Sequence, residues 1–316
     1  MTDTATTAAL LAAYDAQMRA VQPVPAPGIT YEQDGPALRV VGQHRGFVTG
    51  PRDWGGVRGP ELNALIARQR DFFAARGEAV EWKTRGHDEP ADLPDRLRAA
   101  GFVPEPPETV VIALVEELAV AAPALPPGVT LRRVTADADL ERIATLETEV
   151  WGVDLAWVAG HLRGRLAVDP DGTEIYVAEA AGEIVSAAWI AFRPGTDFAM
   201  LLGGSTLAEW RGKGVYRALV ALRAARAAAR NAPYLLVEAS SDSAPILKRL
   251  GFTAVTTTTP YIWTPAHRDA PDRGAGNRAT SHDDAAPGNR PSPTTAMDTA
   301  GSGTAGSGTD GQRRRA

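Results

Sequence analysis

The strongest constraint on the fold is an order of elements that the chain carries twice. In the second half, a helix pattern over 215–230 precedes an apolar strand, a short helix pattern ending in Gly251-Phe252, and a Thr-rich strand. In the first half, a helix pattern precedes the strand 79–83, a short helix pattern ending in Gly101-Phe102, and an apolar strand. Gly commonly ends a helix in the left-handed conformation, with an apolar neighbour folded back on the last turn. The repeat predicts two related α/β halves, with two unrelated α/β domains as the alternative.

Apolar periodicity predicts further elements. In the second half we expect strands and helices over 129–134, 137–151, 155–166, 175–178, 184–192 and 198–207. The long first-half helix should bury one face made of Leu62, Leu65, Ile66, Gln69 and Phe72. The helix over 137–151 should bury Leu140, Ile143, Leu146 or Glu147, and Val150. On the helix over 215–230, Arg223, Arg226 and Arg230 share a face, for which a solvated surface is the simplest interpretation.

Changes in composition divide the chain. Prolines in AVAAPALPPG interrupt the periodic pattern, so we predict a domain over 1–120, a linker over 121–128 and a domain over 129–264. Residues 265–316 are mainly Gly, Ser, Thr, Ala, Pro, Asn, Asp and Arg, and Met297 is their only large apolar residue. Such a segment buries too little surface to offset the entropy of ordering it, so we predict a disordered tail.

Composition excludes several functional classes. The 316 residues contain no Cys, which removes disulfide scaffolds, thiolate zinc sites, iron–sulfur clusters and a Cys nucleophile. The net charge of −5 argues against a nucleic-acid partner. No apolar run approaches the length of a membrane span, and the first residues lack the basic region of a secretory signal. We therefore expect a cytoplasmic protein with no membrane partner.

The segment with the clearest chemical meaning runs from Gly203-Gly204 to the helix that starts after Gly214. Paired glycines inside a strand indicate a bulge or a close backbone approach. The turn Arg211-Gly212-Lys213-Gly214 follows and delivers the chain to a helix N-terminus. Backbone N–H groups at such a turn, with the positive end of the helix dipole behind them, are suited to bind a phosphate.

Two common phosphate motifs do not match this turn. A P-loop requires Ser or Thr after Gly-Lys, whereas Gly214 follows Lys213. A dinucleotide fingerprint requires a third glycine, where this chain has Arg217. The pattern that remains is Arg-x-x-Gly-x-Gly/Ala between a strand and a helix.

This pattern resembles the pyrophosphate-binding motif of the GNAT (GCN5-related) N-acetyltransferases, in which a bulged strand precedes the motif and the next strand splays away. A later family signature resembles SSDSAPILKRLGF at 240–252, whose Leu-Gly-Phe end matches. The resemblance covers 129–263. It implies the GNAT acyl-CoA N-acyltransferase fold, α/β (α+β) with a mixed, mostly antiparallel sheet and flanking helices, duplicated here with a degenerate first copy.

The resemblance also implies a function. It is N-acetyl transfer from acetyl-CoA to a primary amine by direct attack in a ternary complex, without a metal. The acceptor would be a small-molecule or protein amine, and the chain a monomer or homodimer. By the same resemblance, acetyl-CoA would be held by Gly204, Thr206, Leu207, Arg211, Gly212, Lys213, Gly214, Val215, Tyr216 and Ser243.

The catalytic groups are less well defined. Many family members carry a Tyr that protonates the leaving thiolate, and Leu247 occupies its place here. Candidates for the general acid are Tyr216, Ser243, Tyr261 or water. Candidates for the base that deprotonates the amine are Glu238 and Glu149. The missing Tyr keeps open an alternative function, a catalytically silent GNAT-fold module that binds acyl-CoA or a protein partner.

Overall fold

The computed structural model describes residues 4–19, 28–118 and 124–265, which form two compact units. The first unit contains 4–19, 28–118 and 233–265, and the second contains 124–232. The sequence-based division followed the order of the chain, whereas residues 233–265 pack with the first half. Residues 121–123 of the predicted linker and 266–316 of the predicted tail lie outside the described residues.

The first unit contains eight strands and four α-helices among its described residues. Its elements are α1 (Thr4–Gln17), β1 (Thr30–Asp34), β2 (Ala37–Val41), β3 (Gly46–Thr49), α2 (Gly59–Arg76), β4 (Val80–Arg85), α3 (Leu93–Ala99), β5 (Val103–Pro104), β6 (Glu108–Leu114), β11 (Tyr234–Ala239), α7 (Ala244–Arg249) and β12 (Thr253–Trp263). The strand order is β1-β2-β3-β4-β12-β6-β11, with β5 also paired to β12. Only the β3–β4 pair is parallel among the pairs described in this unit.

The end of the chain completes this sheet. β12 lies between β4 and β6 and is antiparallel to both, and β11 pairs with the other edge of β6. The strands that close the second half of the sequence therefore pair with strands of the first half, which explains why residues 233–265 belong to the first unit.

The two helix stops predicted from the Gly-Phe pairs are confirmed. Gly101 and Gly251 have φ of 90° and 102°. The Phe102 N–H donates to the Leu97 carbonyl at 3.0 Å, and the corresponding bond after α7 is 3.1 Å. The repeat thus extends to the helix-capping geometry of both copies.

Strand β4 is buried on both faces. Val80 and Trp82 belong to an apolar core under α2 and α3 that also contains Leu65 and Leu97. The predicted apolar face of α2 needs one correction, because Phe73, and not Phe72, is fully buried in this core. The alternate side chains of β4, Glu81, Lys83 and Arg85, are also buried.

The second unit places two helices before a three-stranded antiparallel meander. Its elements are β7 (Val129–Val134), α4 (Asp137–Trp151), α5 (Trp157–Val168), β8 (Thr173–Ala180), β9 (Glu183–Phe192), β10 (Phe198–Thr206) and α6 (Val215–Ala229). The strand order is β10-β9-β8-β7. Helix α4 packs on α5, β9 and β10, and α6 packs on β8, β9 and β10. The mixed, mostly antiparallel sheets flanked by helices are the predicted fold class.

No helix in the described part of the chain has the length and apolar character needed to span a membrane.

Candidate functional site

Strand β10 contains a bulge at its paired glycines. The register with β9 skips Gly204, which is the extra residue. Gly203 and Gly204 have φ of +65° and +95°; a Cβ on Gly203 would lie 2.4 Å from the Trp189 ring, and one on Gly204 3.0 Å from the Tyr216 ring. The bulge predicted from the sequence is confirmed, and both of its positions require glycine.

We expect Gly203→Ala to lower the free energy of unfolding by about 2 kcal/mol, because the new methyl group meets a buried ring at a left-handed backbone position. Urea unfolding followed by circular dichroism measures this loss. The matched control is Gly164→Ala inside α5, where the added Cβ meets nothing within 4 Å. That variant should gain up to about 1 kcal/mol from helix propensity. Native stability in Gly203→Ala would contradict the close contact with Trp189.

A short turn carries β10 into α6. The N–H of Trp210 donates to the Leu207 carbonyl at 2.9 Å, and Gly212 and Gly214 follow with φ of 74° and 86°. Gly214 is the residue directly before α6. Because the first N–H groups of a helix have no intrahelical acceptor, the turn presents backbone donors and the positive end of the helix dipole together. This is the backbone geometry of an anion site.

Two exposed cations flank this turn. Arg211 Nε donates to the Thr206 carbonyl at 3.0 Å. Lys213 Nζ lies 4.9 Å from the centroid of the Trp210 ring. Both side chains stay at the surface and place positive charge beside the glycine turn.

At the end of β10, the backbone N–H and C=O groups of Thr206 point away from the neighbouring strand β9. The Leu207 N–H donates to the Val185 carbonyl at 3.0 Å, so this N–H group is already used within the sheet. The alternation of an antiparallel ladder then directs the N–H and C=O of Thr206 away from β9, and the C=O is the group that accepts from Arg211. The Thr206 hydroxyl lies 2.8 Å from Ser186 Oγ.

A buried carboxyl lies beside the bulge. Glu147 of α4 is fully buried, and its Oε2 accepts hydrogen bonds from Ser205 Oγ at 2.6 Å and Trp151 Nε1 at 2.9 Å. Its Oε1 has no hydrogen-bond partner among the described residues. Burial raises the pKa of Glu147 to about 7, against the two hydrogen bonds, which lower it. The sequence offered Glu147 as an alternative to Leu146 on the inner face of this helix and assigned it no chemistry.

The two bases predicted from the sequence differ in their exposure and in their partners. Glu149 lies on the exposed side of α4, two residues from the buried carboxyl. Glu238 belongs to the first unit, where its carboxylate is paired with the fully buried ammonium of Lys83.

The predicted general acids belong to different units. Tyr216 lies in the first turn of α6 with its ring against Gly204, and burial raises the pKa of its phenol. Ser243 and Tyr261 lie in the first unit. Ser243 Oγ is 3.3 Å from Ser240 Oγ, and Tyr261 is part of the apolar core around β4.

The interpretation of Arg223 as a solvated residue was wrong. Its side chain is buried, and it donates to three backbone carbonyls, those of Leu219, Trp189 and Leu202. Burial lowers the pKa of this guanidinium to about 10. Arg223 thereby links α6 to β9 and β10 just before the bulge.

Among the described residues, no group of His, Cys, Asp or Glu side chains is arranged to hold a metal ion.

No protein-family model matches the sequence, and no curated protein matches it. Solved structures do match. A GCN5-related N-acetyltransferase from Kribbella flavida aligns over 83% of this chain and 97% of its own, with a TM-score of 0.59 and 15% identity. A tandem GNAT protein from the clavulanic acid biosynthesis pathway aligns over 85% and 97%, with a TM-score of 0.56 and 17% identity.

A GCN5-related N-acetyltransferase from Sphaerobacter thermophilus aligns over 74% of this chain and 82% of its own, with a TM-score of 0.53 and 13% identity. The chain therefore has the fold of the GNAT N-acetyltransferases. Its similarity to a tandem GNAT protein over most of both chains agrees with the duplicated element order.

Proposed function

We propose that the protein is an acyltransferase that moves an acetyl group from acetyl-CoA to a primary amine by direct attack. The observation that carries this proposal is the continuous path from the bulged β10, through the turn with Gly212 and Gly214, to the N-terminus of α6. Neighbours with the same fold are named N-acetyltransferases, which supports acyl transfer in general.

The turn fits the pyrophosphate of acetyl-CoA. Its backbone N–H groups and the α6 dipole would bind the phosphate oxygens, and the exposed side chains of Arg211 and Lys213 would add charge. The Thr206 N–H, directed away from β9, would donate to the extended pantetheine arm as a neighbouring strand does. The Leu207 N–H, already bonded to Val185, does not serve this purpose.

Once acetyl-CoA and the amine are bound, the protein needs only to assist the proton transfers of the reaction. The amine nitrogen forms a bond to the thioester carbon, the C–S bond breaks, and CoA leaves as a thiolate that takes up a proton. A thiol with a pKa of ~8.5 is a tolerable leaving group. The phenol of Tyr216 is protonated at neutral pH, as its ordinary pKa near 10 requires, and burial raises that pKa further; it is our candidate for the proton donor.

Isothermal titration with acetyl-CoA tests the turn. We expect Arg211→Glu to weaken binding at least tenfold, because it replaces a cation beside the phosphates by an anion. The control is Arg230→Glu, the same charge change at the exposed opposite end of α6, which should bind like the native chain. Equal affinity of Arg211→Glu and the native chain would contradict the placement of the phosphates.

A second function is favoured by one observation. Leu247 is completely buried at the position where related enzymes often have a catalytic Tyr, as expected of a chain that binds acyl-CoA without turning it over. Thiol release measured over a panel of small amines and amine-bearing peptides separates the two functions. Binding of acetyl-CoA without thiol release would support the silent module and refute the enzyme.

A further inference from the structure

The side chains of Glu147, Ser205 and Trp151 form a closed hydrogen-bonded triangle in the second unit. The Ser205 hydroxyl donates to Glu147 Oε2 at 2.6 Å. The single Trp151 indole N–H is shared between that same Oε2 at 2.9 Å and Ser205 Oγ at 3.1 Å. One lone pair of the Ser205 oxygen therefore remains for a further donor.

The triangle adjoins the bulge. Ser205 directly follows Gly204, the extra residue of β10, and precedes Thr206, whose N–H and C=O point away from β9. The Glu147 carboxyl is completely buried, Ser205 is 4% exposed, and Glu147 Oε1 has no partner among the described residues. An unpartnered buried carboxyl oxygen is costly to a fold, and a purely structural role would be served equally well by an apolar side chain.

Few charges face this carboxyl. β10 has no titratable side chain, and β9 has only the exposed Glu183 at its start. The titratable groups of α5 are His161, Arg163 and Arg165. The pKa of Glu147, about 7, reflects burial and the hydrogen bonds from Ser205 and Trp151. The group therefore changes its charge near neutral pH.

We infer that Glu147 and Ser205 form the proton-accepting relay of the acyl transfer, with Trp151 as a positioning residue that orients both oxygens. This inference rests on the proposed function. The free lone pair of Ser205 Oγ accepts a proton from the acceptor ammonium while the hydroxyl proton passes to Glu147 Oε2, leaving a neutral amine and a neutral carboxyl. The amine then attacks the thioester, Tyr216 protonates the departing thiolate and takes up the remaining surplus proton of the attacking nitrogen, and Glu147 returns its proton to water after product release.

The relay can be tested first without any substrate. In the full-length chain with ¹⁵N-labelled Trp, the indole N–H signal of Trp151, assigned by its loss in Trp151→Phe, should shift with a midpoint near pH 7. Glu147→Gln should abolish that shift, whereas Glu141→Gln, an exposed carboxyl on the same helix paired with Arg163, should leave it intact. A midpoint in the ordinary range of glutamate would overturn the relay.

The second test is the pH profile of kcat/KM for thiol release. We expect kcat/KM to rise with pH, with a midpoint near pH 7, in the native chain and in Glu141→Gln. At pH 8, Glu147→Gln should lose about 100-fold or more, the usual size of a general-base contribution, and this rise should disappear. Ser205→Ala should lower kcat with an unchanged affinity for acetyl-CoA, and Ser205→Thr should restore part of the rate.

The outcomes separate the two proposals. Turnover with the rise of kcat/KM intact in Glu147→Gln would overturn the relay and leave the acyltransferase in place. Failure of the native chain to bind acetyl-CoA in isothermal titration would overturn both, since the relay has no role without the reaction.

Discussion

Glu238→Ala is expected to lower the free energy of unfolding by about 3–5 kcal/mol, the usual cost of removing one member of a buried ion pair. The Lys83 ammonium is completely buried and donates to Glu238 Oε2. Burial by itself lowers the pKa of Lys83, but the carboxylates of Glu238, Glu81 and Glu108 outweigh it and raise that pKa. Removing Glu238 therefore removes one of the carboxylates that compensate this buried ammonium.

Urea unfolding of the full chain measures this loss, and two further variants serve as controls. Glu117→Ala removes an exposed carboxylate of the same unit and should change stability by less than about 0.5 kcal/mol. The double variant Lys83→Met with Glu238→Leu removes both charges of the pair and should recover part of the loss, because apolar residues often replace a buried ion pair at little cost. Recovery is incomplete because Glu81 and Glu108 also lose their interaction with Lys83. A loss below 1 kcal/mol in Glu238→Ala would show that the pair is not desolvated.

This experiment also concerns the role of Glu238. The sequence suggested a catalytic base, and its position late in an apolar strand gave no sign of a buried partner. The partner Lys83 precedes it by 155 residues, on a strand that pairs with the last strand of the chain. A residue that is already bonded to a buried ammonium is poorly suited to take a proton from a substrate, so we expect Glu238 to act on stability.

Local patterns predicted most of the elements. The helix 137–151 and the strand 129–134 have the bounds that the periodicity indicated, and both Gly-Phe stops adopt the expected conformation. These features depend on residues within one or two turns of each other, so the sequence contains the information that they need.

Long-range pairing was not predictable in the same way. The alternation of Glu81, Lys83 and Arg85 along β4 is typical of a solvated sheet face, yet all three are buried. β12 pairs with β4 from about 175 residues further along the chain, as in the bond from Thr84 Oγ1 to the Thr259 carbonyl. No pattern within one strand specifies a partner that far away.

The candidate site shows the same difference between local features, which the sequence predicts, and long-range contacts, which it does not. The bulge and the glycine turn were predicted because glycines and charges are read directly from the sequence. The carboxyl beside the bulge was not, although a signal existed: Glu147 shares the apolar face of α4 with Leu140 and Ile143, and an acidic residue on a buried face usually has a specific partner. That partner, Ser205, lies 58 residues further on.

The contribution of Glu147 to the stability of the native chain should fall as the pH rises from about 4.5 to 7, and Glu147→Gln should abolish it. Glu147 has a pKa of about 7 in the fold against 4.5 for an ordinary glutamate, with burial as the main cause. Between these values the folded protein holds a proton that the unfolded chain has lost, so the stabilisation is complete below the lower value and lost above the upper one. At 1.36 kcal/mol per pKa unit the loss is about 3 kcal/mol.

Urea unfolding of the native chain and of Glu147→Gln at pH 5, 6, 7 and 8 isolates this contribution, because other titrating groups cancel in the difference between the two. The difference should move in favour of Glu147→Gln by about 2.5 kcal/mol from pH 5 to pH 8, because a small part of the contribution is already lost at pH 5. Glu149→Gln, an exposed neighbour on the same helix, should show a constant difference from the native chain. A constant difference for Glu147→Gln as well would mean that the buried carboxyl is already ionised at pH 5. It would then remain an anion across the neutral range, with no change of protonation available for a relay near pH 7.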